Sequence, residues 1–526
     1  MKILVLDGVQ EAGVKALHRS GWQVDIVTDV WTEEELSSAI GRYDALIIRS
    51  ATKVTSRVIE SADRLKVIGR AGVGVDNIDL EAATRRGIVV VNAPDGNTIA
   101  AAEHSLALML ALARNIPRAD YGLKNGNWER KKLVGVELRQ KTLGILGLGR
   151  IGSAVARRAQ AFDMVCIGYD PHITPERAKH MGVEAVSLQE LLSRSDFVTI
   201  HMPLTEQTRH LLDADAIASM KKGIRIINVA RGGIVCEDAL AAALKENHVA
   251  GAALDVFEEE PLGESPLLGC PNVVLTPHLG ASTEEAQLHV AMDVADAIAS
   301  LLNGGLPNNA VNMVGIAPDV MKTLEPFLNL GEKLGTFVAQ VGGGINSLQI
   351  TYSGALLDLE TKVVTTSILK GMLANIVDDH VNLVNADYLA KGRGIRLETV
   401  HKGNGGDYHN RIAVRASTSG GVLHVAGSVF QPDALRIVEI DGYRVDVLPM
   451  GHILVVSHKD KPGMVGQVGM LLGQAGVNIA SMQVGRKNPG GSAVMVLGID
   501  AEAPNDVLSA ICDIPGIKGT NQVTFD

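Results

Sequence analysis

Short apolar runs alternate with helical periodicity from the first residue. KILVLD, WQVDIV, ALIIRS and LKVIGR are each followed by a polar or alanine-rich helical segment. Runs of this kind separated by helices predict a parallel sheet covered on both faces. After NAPDGN at 92–97 comes a long helical stretch, TIAAAEHSLALMLALARNI, and then a second series of strands: TLGILG, VCIGYD, FVTIHM, RIINVA, GAALDV and VVLTPH. Six strands alternating with helices match the count of a dinucleotide-binding sheet. A second long amphipathic helix is predicted over 284–303, and GGLPNNAVN then breaks the pattern, placing a boundary near 305–318.

Beyond that boundary the texture changes. Residues 340–450 are rich in glycine and β-branched residues, with short alternating strands and one apolar helix at 361–377. From His452 onward the order reads strand, helix, strand, strand, helix, strand, the split βαβ plan of a small ferredoxin-like domain. A chain of 526 residues is too long for one growing core, so three or four domains are expected.

Charge and cysteine usage narrow the partners. A net charge of −10 without a Lys/Arg-rich block speaks against nucleic acid or an anionic membrane. Cys166, Cys236, Cys270 and Cys512 lie far apart with no CxxC pair. They read as buried small hydrophobes in a reducing compartment, and their spacing offers no metal site. The apolar start of MKILVLDG is too short for a signal peptide, and SLALMLALA falls well short of the roughly 20 residues of a membrane span. A cytoplasmic protein is expected.

The first chemical motif is GLGRIG at 147–152, which follows the strand TLGIL and opens the helix RIGSAVARRAQAF. Gly147 permits the tight turn, Gly149 lets backbone amides approach a pyrophosphate, and Gly152 allows close helix packing. Asp170 stands eighteen residues after Gly152, at the end of the next strand. A carboxylate there accepts both ribose hydroxyls of NAD and repels the 2′-phosphate of NADP. Hydride transfer then calls for a proton carrier and a cation at later strand ends. Arg231 in NVARGGIV, the acids Glu258 to Glu260 and His278 in TPHLG all lie there, and one of the acids is expected to hydrogen-bond His278. His104 and His201 are rival histidines, and spacing does not choose among the three.

Eight ordered motifs carry a closer resemblance: RSATKV (49–54), GRAGVGVDNID (69–79), NGNWERKK (125–132), KTLGILGLGRIG (141–152), HMPLT (201–205), NVARGGIV (228–235), ALDVFEEEP (253–261) and TPHLGAST (276–283). Across essentially the whole chain they resemble the D-2-hydroxyacid dehydrogenase family in its long form. The resemblance implies an α/β fold with a Rossmann-type cofactor domain (97–283) inserted in a flavodoxin-like α/β substrate domain (1–96 and 284–315). An α+β intervening regulatory domain (316–450) and a ferredoxin-like βαββαβ ACT domain (451–526) follow.

The resemblance also assigns residues. It implies Arg231, Glu260 and His278 as catalytic, with His278 taking the substrate hydroxyl proton, Arg231 holding the carboxylate and Glu260 orienting the imidazolium. For the cofactor NAD it implies Gly147, Gly149, Arg150, Ile151, Gly152, Asp170, His201, Met202, Pro203, Ala230, Asp255, His278 and Gly280. Substrate contacts fall on Arg49, Lys53, Arg70, Ala71, Gly72, Val73, Arg231 and His278; the amides of 71–74 suit an anion nest. Arg130 to Lys132 are expected near a neighbouring subunit's site. His458, Asp460 and Asn478 are the regulatory set, and no metal is expected. The implied activity is NAD-dependent oxidation of 3-phospho-D-glycerate to 3-phosphohydroxypyruvate, the first step of phosphorylated serine biosynthesis. L-serine is the implied effector and a homotetramer the implied assembly. The alternative is a glyoxylate or hydroxypyruvate reductase; the two C-terminal domains and the basic set Arg49, Lys53 and Arg70 speak against it.

Overall fold

A computed structural model describes residues 1–270, 272–377, 380–403, 406–431 and 434–525. The N-terminal apolar runs form a five-stranded parallel sheet in the spatial order Gln23–Ile26, Lys2–Val5, Ala45–Ile48, Val67–Arg70, Val89–Val91. Its order reverses between Lys2–Val5 and Ala45–Ile48. A ligand crevice opens at such a reversal, outside the carboxyl ends of the strands. Asp7 and Arg49 lie just past those two ends, and Arg70 closes the fourth strand.

The second parallel sheet runs Val273–Leu275, Val249–Leu254, Ile224–Asn228, Phe197–Ile200, Thr142–Leu146, Val165–Tyr169, Glu184–Ala185. It has seven strands where six were expected. The extra one is two exposed residues, Glu and Ala, at the edge, and carries no apolar run to announce it. Here the order reverses between Thr142–Leu146 and Phe197–Ile200, where Gly147 and His201 meet.

Two long helices join the sheets. Thr98–Ala113 packs on the helix Arg150–Gln160 and the strand Val249–Leu254. Glu284–Leu302 packs on Glu11–Arg19 and Val67–Arg70, and the Thr283 hydroxyl caps its start by accepting from Ala286 N at 3.1 Å.

The C-terminal half departs from its expected simplicity. A 25-residue helix, Pro318–Gly342, carries Pro326 in its interior and packs along Thr361–Leu373. A Cβ at Gly335 would lie 2.0 Å from Ile368 O, so only glycine lets the two helices approach this closely. They cover a six-stranded mixed sheet ordered Arg396–Lys402, Ile345–Gly354, Asn410–Thr418, Gly421–Val429, Leu435–Ile440, Tyr443–Val447. The last 75 or so residues form the antiparallel sheet Ile479–Arg486, Ser492–Ile499, Gly451–Lys459, Ile517–Phe525, with helices Met464–Gln474 and Asn505–Cys512.

Alternation along Gly451–Lys459 splits two cores. Leu454 and Val456 face the small domain's own helices. Ile453 and Val455 join Leu330, Phe337 and Val338 in one apolar cluster with the intervening domain. The intervening unit also docks on the first sheet: Val384 is buried in that sheet's core, and Asn382 Nδ2 donates to Gly87 O at 2.7 Å. Of the cysteines, Cys166 and Cys270 are buried as expected. Cys236, at the start of the helix Glu237–Lys245, is half-buried, and Cys512, at the end of Asn505–Cys512, is exposed.

Candidate active site

The glycine turn after Thr142–Leu146 is shaped by three different constraints. Gly147 has φ 92°, and a Cβ there would lie 2.6 Å from His201 O. At Gly152 a Cβ would lie 2.0 Å from Gly147 O. At Gly149 it would meet nothing within 4 Å, so that space is left to a ligand. Gly149 is also the N-cap of Arg150–Gln160 and makes no side-chain cap, which leaves helix amides pointing at the same place. This cradle fits a dinucleotide pyrophosphate. Asp170 stands beside it, its carboxylate oriented by Leu148 N at 2.9 Å and His172 N at 2.8 Å. Arg150 turns away to pair with Asp95 at 2.5 Å, and Ile151 packs into the core behind the turn. Met202 is half-buried, Pro203 exposed and Ala230 half-buried along the remaining rim.

The three histidines separate by their partners. His201 Nε2 lies 2.9 Å from Thr199 Oγ1, and burial pushes the ring down to about 3, so it stays neutral. His104 Nε2 lies 3.1 Å from Asp255 Oδ1 and 3.2 Å from Thr276 Oγ1. Asp255 is fully buried and also accepts from Thr276 Oγ1 at 2.6 Å, Leu279 N at 2.7 Å and Gly280 N at 2.8 Å. Burial opposes its charge, but these donors outweigh burial and hold the carboxyl below its usual range. Asp255 thereby braces the turn that carries His278, whose own backbone sits in the left-handed region at φ 55° with N–H bonds to Asp255 O and Thr276 O.

His278 is the histidine that faces outward. Its Nδ1 lies 2.7 Å from Glu260 Oε2, and its side chain keeps 45% of its surface exposed. Burial opposes the charge on Glu260, yet the His278 contact, Phe257 N and the nearby Arg231 hold the carboxyl below its usual range. Arg231 Nη1 donates to Ala230 O at 2.7 Å and its Nε to Asp76 Oδ2 at 3.0 Å, reaching from the second sheet to the first. Nη2 lies over Gly74, where a Cβ would come within 1.9 Å of it.

Around that contact a cationic pocket is assembled. Arg70 folds over Gly72, where a Cβ would lie 1.6 Å from its Nη1. Its Nε is shielded from solvent and has no hydrogen-bond partner. Burial, then the charge of Arg231, push Arg70 down to about 10, so it remains a cation at neutral pH. Asp7 fixes the loop of Arg49 by accepting from Arg49 N at 2.8 Å and Thr52 Oγ1 at 2.6 Å, while Asn77 Nδ2 donates to Arg49 O at 2.8 Å. Lys53 is exposed on the outer side of this loop. The expected amide nest is narrower than 71–74: Ala71 N is spent on Ile48 O and Gly72 N on Arg70 O, which leaves Val73 and Gly74 to face a ligand. Asp7, Asp76, Asn77 and Asn92 belong to no local motif, because each acts through contacts with residues elsewhere in the chain.

In the C-terminal sheet His458 is 2% exposed, with Nδ1 near Lys459 O at 3.0 Å and Nε2 without a partner. Asp460 and Asn478, expected to hold a ligand's ammonium and backbone, are engaged internally. Asp460 accepts from Arg486 Nη1 and Gly490 N, both at 3.1 Å, and Asn478 Nδ2 donates to Asp500 at 2.8 Å.

A glycine cradle, an adjoining acid, and an Arg–Glu–His group at the strand ends define a D-isomer-specific 2-hydroxyacid dehydrogenase. The profile described as "D-isomer specific 2-hydroxyacid dehydrogenase, NAD binding domain" matches residues 106–280. "D-3-phosphoglycerate dehydrogenase intervening domain" matches 323–441, and "ACT domain" matches 452–516. The D-3-phosphoglycerate dehydrogenase of Synechocystis sp. is 47% identical over 98% of this chain and 93% of its own length. That of Methanocaldococcus jannaschii is 48% identical over 98% of both chains. The chain belongs to the D-3-phosphoglycerate dehydrogenase family. Among solved structures, the TT0316 protein from Thermus thermophilus matches at 35% identity and TM-score 0.56, over 59% of this chain and 100% of that one. An NAD-dependent formate dehydrogenase from Staphylococcus aureus in complex with NAD matches at 33% identity and TM-score 0.55, over 60% of this chain and 100% of that one. Among the described residues no helix is long and apolar enough to cross a membrane.

Proposed function

We infer that this chain oxidises 3-phospho-D-glycerate to 3-phosphohydroxypyruvate with NAD, the first step of phosphorylated serine biosynthesis. The observation that carries this reading is the pocket in which Arg70, with an unpartnered Nε, lies beside Arg231 and the His278–Glu260 pair. A doubly anionic substrate needs two cationic ends, and this pocket supplies them. Arg231 takes the C1 carboxylate and polarises the C2–O bond. Arg49, Arg70 and the Val73 and Gly74 amides take the phosphate. His278, held at Nδ1 by Glu260, presents Nε2 to the C2 hydroxyl and accepts its proton as the C2–H bond breaks. Glu260 stabilises the imidazolium so formed. The 147–152 turn and Asp170 would hold NAD, which when bound would supply the hydride acceptor. Asp76 pairs with Arg231 across the two sheets, and closure of the sheets on the ligand brings the guanidinium to the carboxylate.

NADH formation from 3-phosphoglycerate at alkaline pH tests this reading. Turnover of glyoxylate without any of 3-phosphoglycerate would instead make the chain a glyoxylate or hydroxypyruvate reductase. We place the domain limits at 1–96 with 284–315, 97–283, 316–450 and 451–526. The proposed assembly is a homotetramer in the cytoplasm. Tyr121, at 73% exposure, with Trp128 and Val134, at 80% and 81%, form an apolar face beside Arg130–Lys132 that suits burial against a second subunit. L-serine is the proposed effector at His458, Asp460 and Asn478; the buried, unpartnered His458 Nε2 supports a polar ligand there, and titrating the initial rate with serine tests it.

A further inference from the structure

On the second sheet, next to the loops of Arg231 and Glu260 but apart from the reacting groups, three metal-ligating side chains converge. His210 lies in the loop beyond Phe197–Ile200, Cys236 starts the helix Glu237–Lys245, and Glu258 follows Val249–Leu254. One ligand atom from each, a ring nitrogen, a thiol sulfur and a carboxylate oxygen, all lie within 4.8 Å of one another. His210 Nε2 is 3.2 Å from Glu258 Oε1, yet it is shielded from solvent and has no hydrogen-bond partner. A shielded ring nitrogen left unpaired is costly, and its position among a thiol and a carboxylate calls for a cation.

The backbone holds the three in place. Cys236 N donates to Leu212 O at 3.1 Å and His210 N to Gly233 O at 2.8 Å, which ties the first two ligand segments together. Glu237 N donates to Glu258 Oε1 at 3.1 Å, and Glu258 N to Glu237 Oε1 at 2.7 Å, which ties the second to the third. Ligands fixed by their supporting shell bind metal without a large ordering cost.

We propose that His210, Cys236 and Glu258 form a binding site for a borderline divalent cation of the Zn²⁺ class. The mixed nitrogen, sulfur and oxygen set suits Zn²⁺ or Co²⁺ and not the oxygen-seeking Mg²⁺ or Ca²⁺. Three protein ligands leave a fourth position for water. On binding, the Cys236 thiol gives its proton to solvent and coordinates as thiolate. The cation links the loop that follows Arg231 to the turn that precedes Glu260, and takes no part in hydride or proton transfer.

Co²⁺ titration of the purified full-length chain, kept reduced with a non-chelating phosphine, reads the site directly. One equivalent is expected to raise a thiolate-to-cobalt charge-transfer band, which Zn²⁺ then displaces. Cys236→Ser abolishes the band, His210→Asn weakens binding by at least about 10-fold, and Cys512→Ser and His278→Asn leave band and affinity unchanged. Cys236→Asp keeps one equivalent of bound Co²⁺ without the band, which separates loss of a ligand from loss of the fold. A wild-type chain without the band, or a band that survives Cys236→Ser or vanishes in Cys512→Ser, overturns the proposal.

Discussion

His278 Nδ1 and Glu260 Oε2 lie 2.7 Å apart, and of the three candidate histidines His104, His201 and His278 it is His278 that pairs with a carboxylate while keeping 45% of its side chain exposed. The carboxyl of Glu260 is held below its ordinary value, so its charge persists down through the usual carboxylate range and is lost only as pH falls through the depressed value. Glu260 is therefore ionised throughout the working range. Glu260→Gln removes the charge that favours imidazolium while keeping the side chain's shape. The expected kcat falls by about 100-fold, on the order of 3 kcal/mol of transition-state stabilisation. KM for NAD is expected to stay nearly unchanged, because the loss falls on proton transfer and not on cofactor binding. A kcat that stays at the wild-type value refutes the pairing as a functional one.

Arg70 is a cation kept in place against its own solvation. Removing it relieves burial of an incompletely paired charge, so Arg70→Met is expected to leave the first thermal transition of the ligand-free chain unchanged or to raise it by a few degrees, about 1 kcal/mol. The same change is expected to raise KM for 3-phosphoglycerate at least about 100-fold, the order of one lost charge-assisted anion contact, with KM for NAD nearly kept. A large drop in stability together with an unchanged KM would assign Arg70 to the fold and not to the substrate.

The sequence made some of this legible and hid the rest for physical reasons. Strands buried on both faces appear as apolar runs, so six strands of the second sheet were readable while Glu184–Ala185, an exposed edge pair, was not. The helix Pro318–Gly342 was concealed by Pro326 and by glycines that serve packing, which local propensity counts against a helix. The core shared by the C-terminal sheet and the intervening helices rests on contacts between distant segments, which no local pattern records. At the site, the glycine turn and Asp170 follow from spacing within one βαβ unit. The choice of His278 over His104 and His201 depends on which acid each meets in space, and spacing left it open.

Asn92 shows the same limit and gives a further prediction. Its Nδ2 donates to Val73 O at 2.5 Å, and Asn309 Nδ2 donates to Asn92 O at 2.5 Å. The segment leading to the intervening domain is thereby linked, through one residue, to the loop whose Val73 and Gly74 amides we propose to bind the substrate. Asn92→Ala is expected to raise KM for 3-phosphoglycerate by about 10-fold, roughly one hydrogen bond, with kcat and KM for NAD nearly unchanged. Asn309→Ala is expected to act in the same direction, and the double variant to fall short of the sum. Additive effects on KM, or equal effects on both substrates, would show that the two residues do not act through the loop.

The two glycines Gly149 and Gly152 differ in what they make room for, and alanine at each separates fold from cofactor. At Gly152 the new Cβ would lie 2.0 Å from Gly147 O, a backbone atom that cannot move without opening the turn. Gly152→Ala is expected to destabilise the chain by about 1–3 kcal/mol and to lose NAD binding as a consequence. At Gly149 the Cβ meets no protein atom within 4 Å, and the backbone φ of −68° suits alanine. Gly149→Ala is therefore expected to keep the thermal transition of the ligand-free chain, yet to raise KM for NAD at least about 10-fold, because the methyl stands where the pyrophosphate approaches the helix amides. Initial rates at varied NAD and a thermal melt of the same preparation measure both quantities. Equal behaviour of the two variants would mean that the space over Gly149 is not the cofactor's.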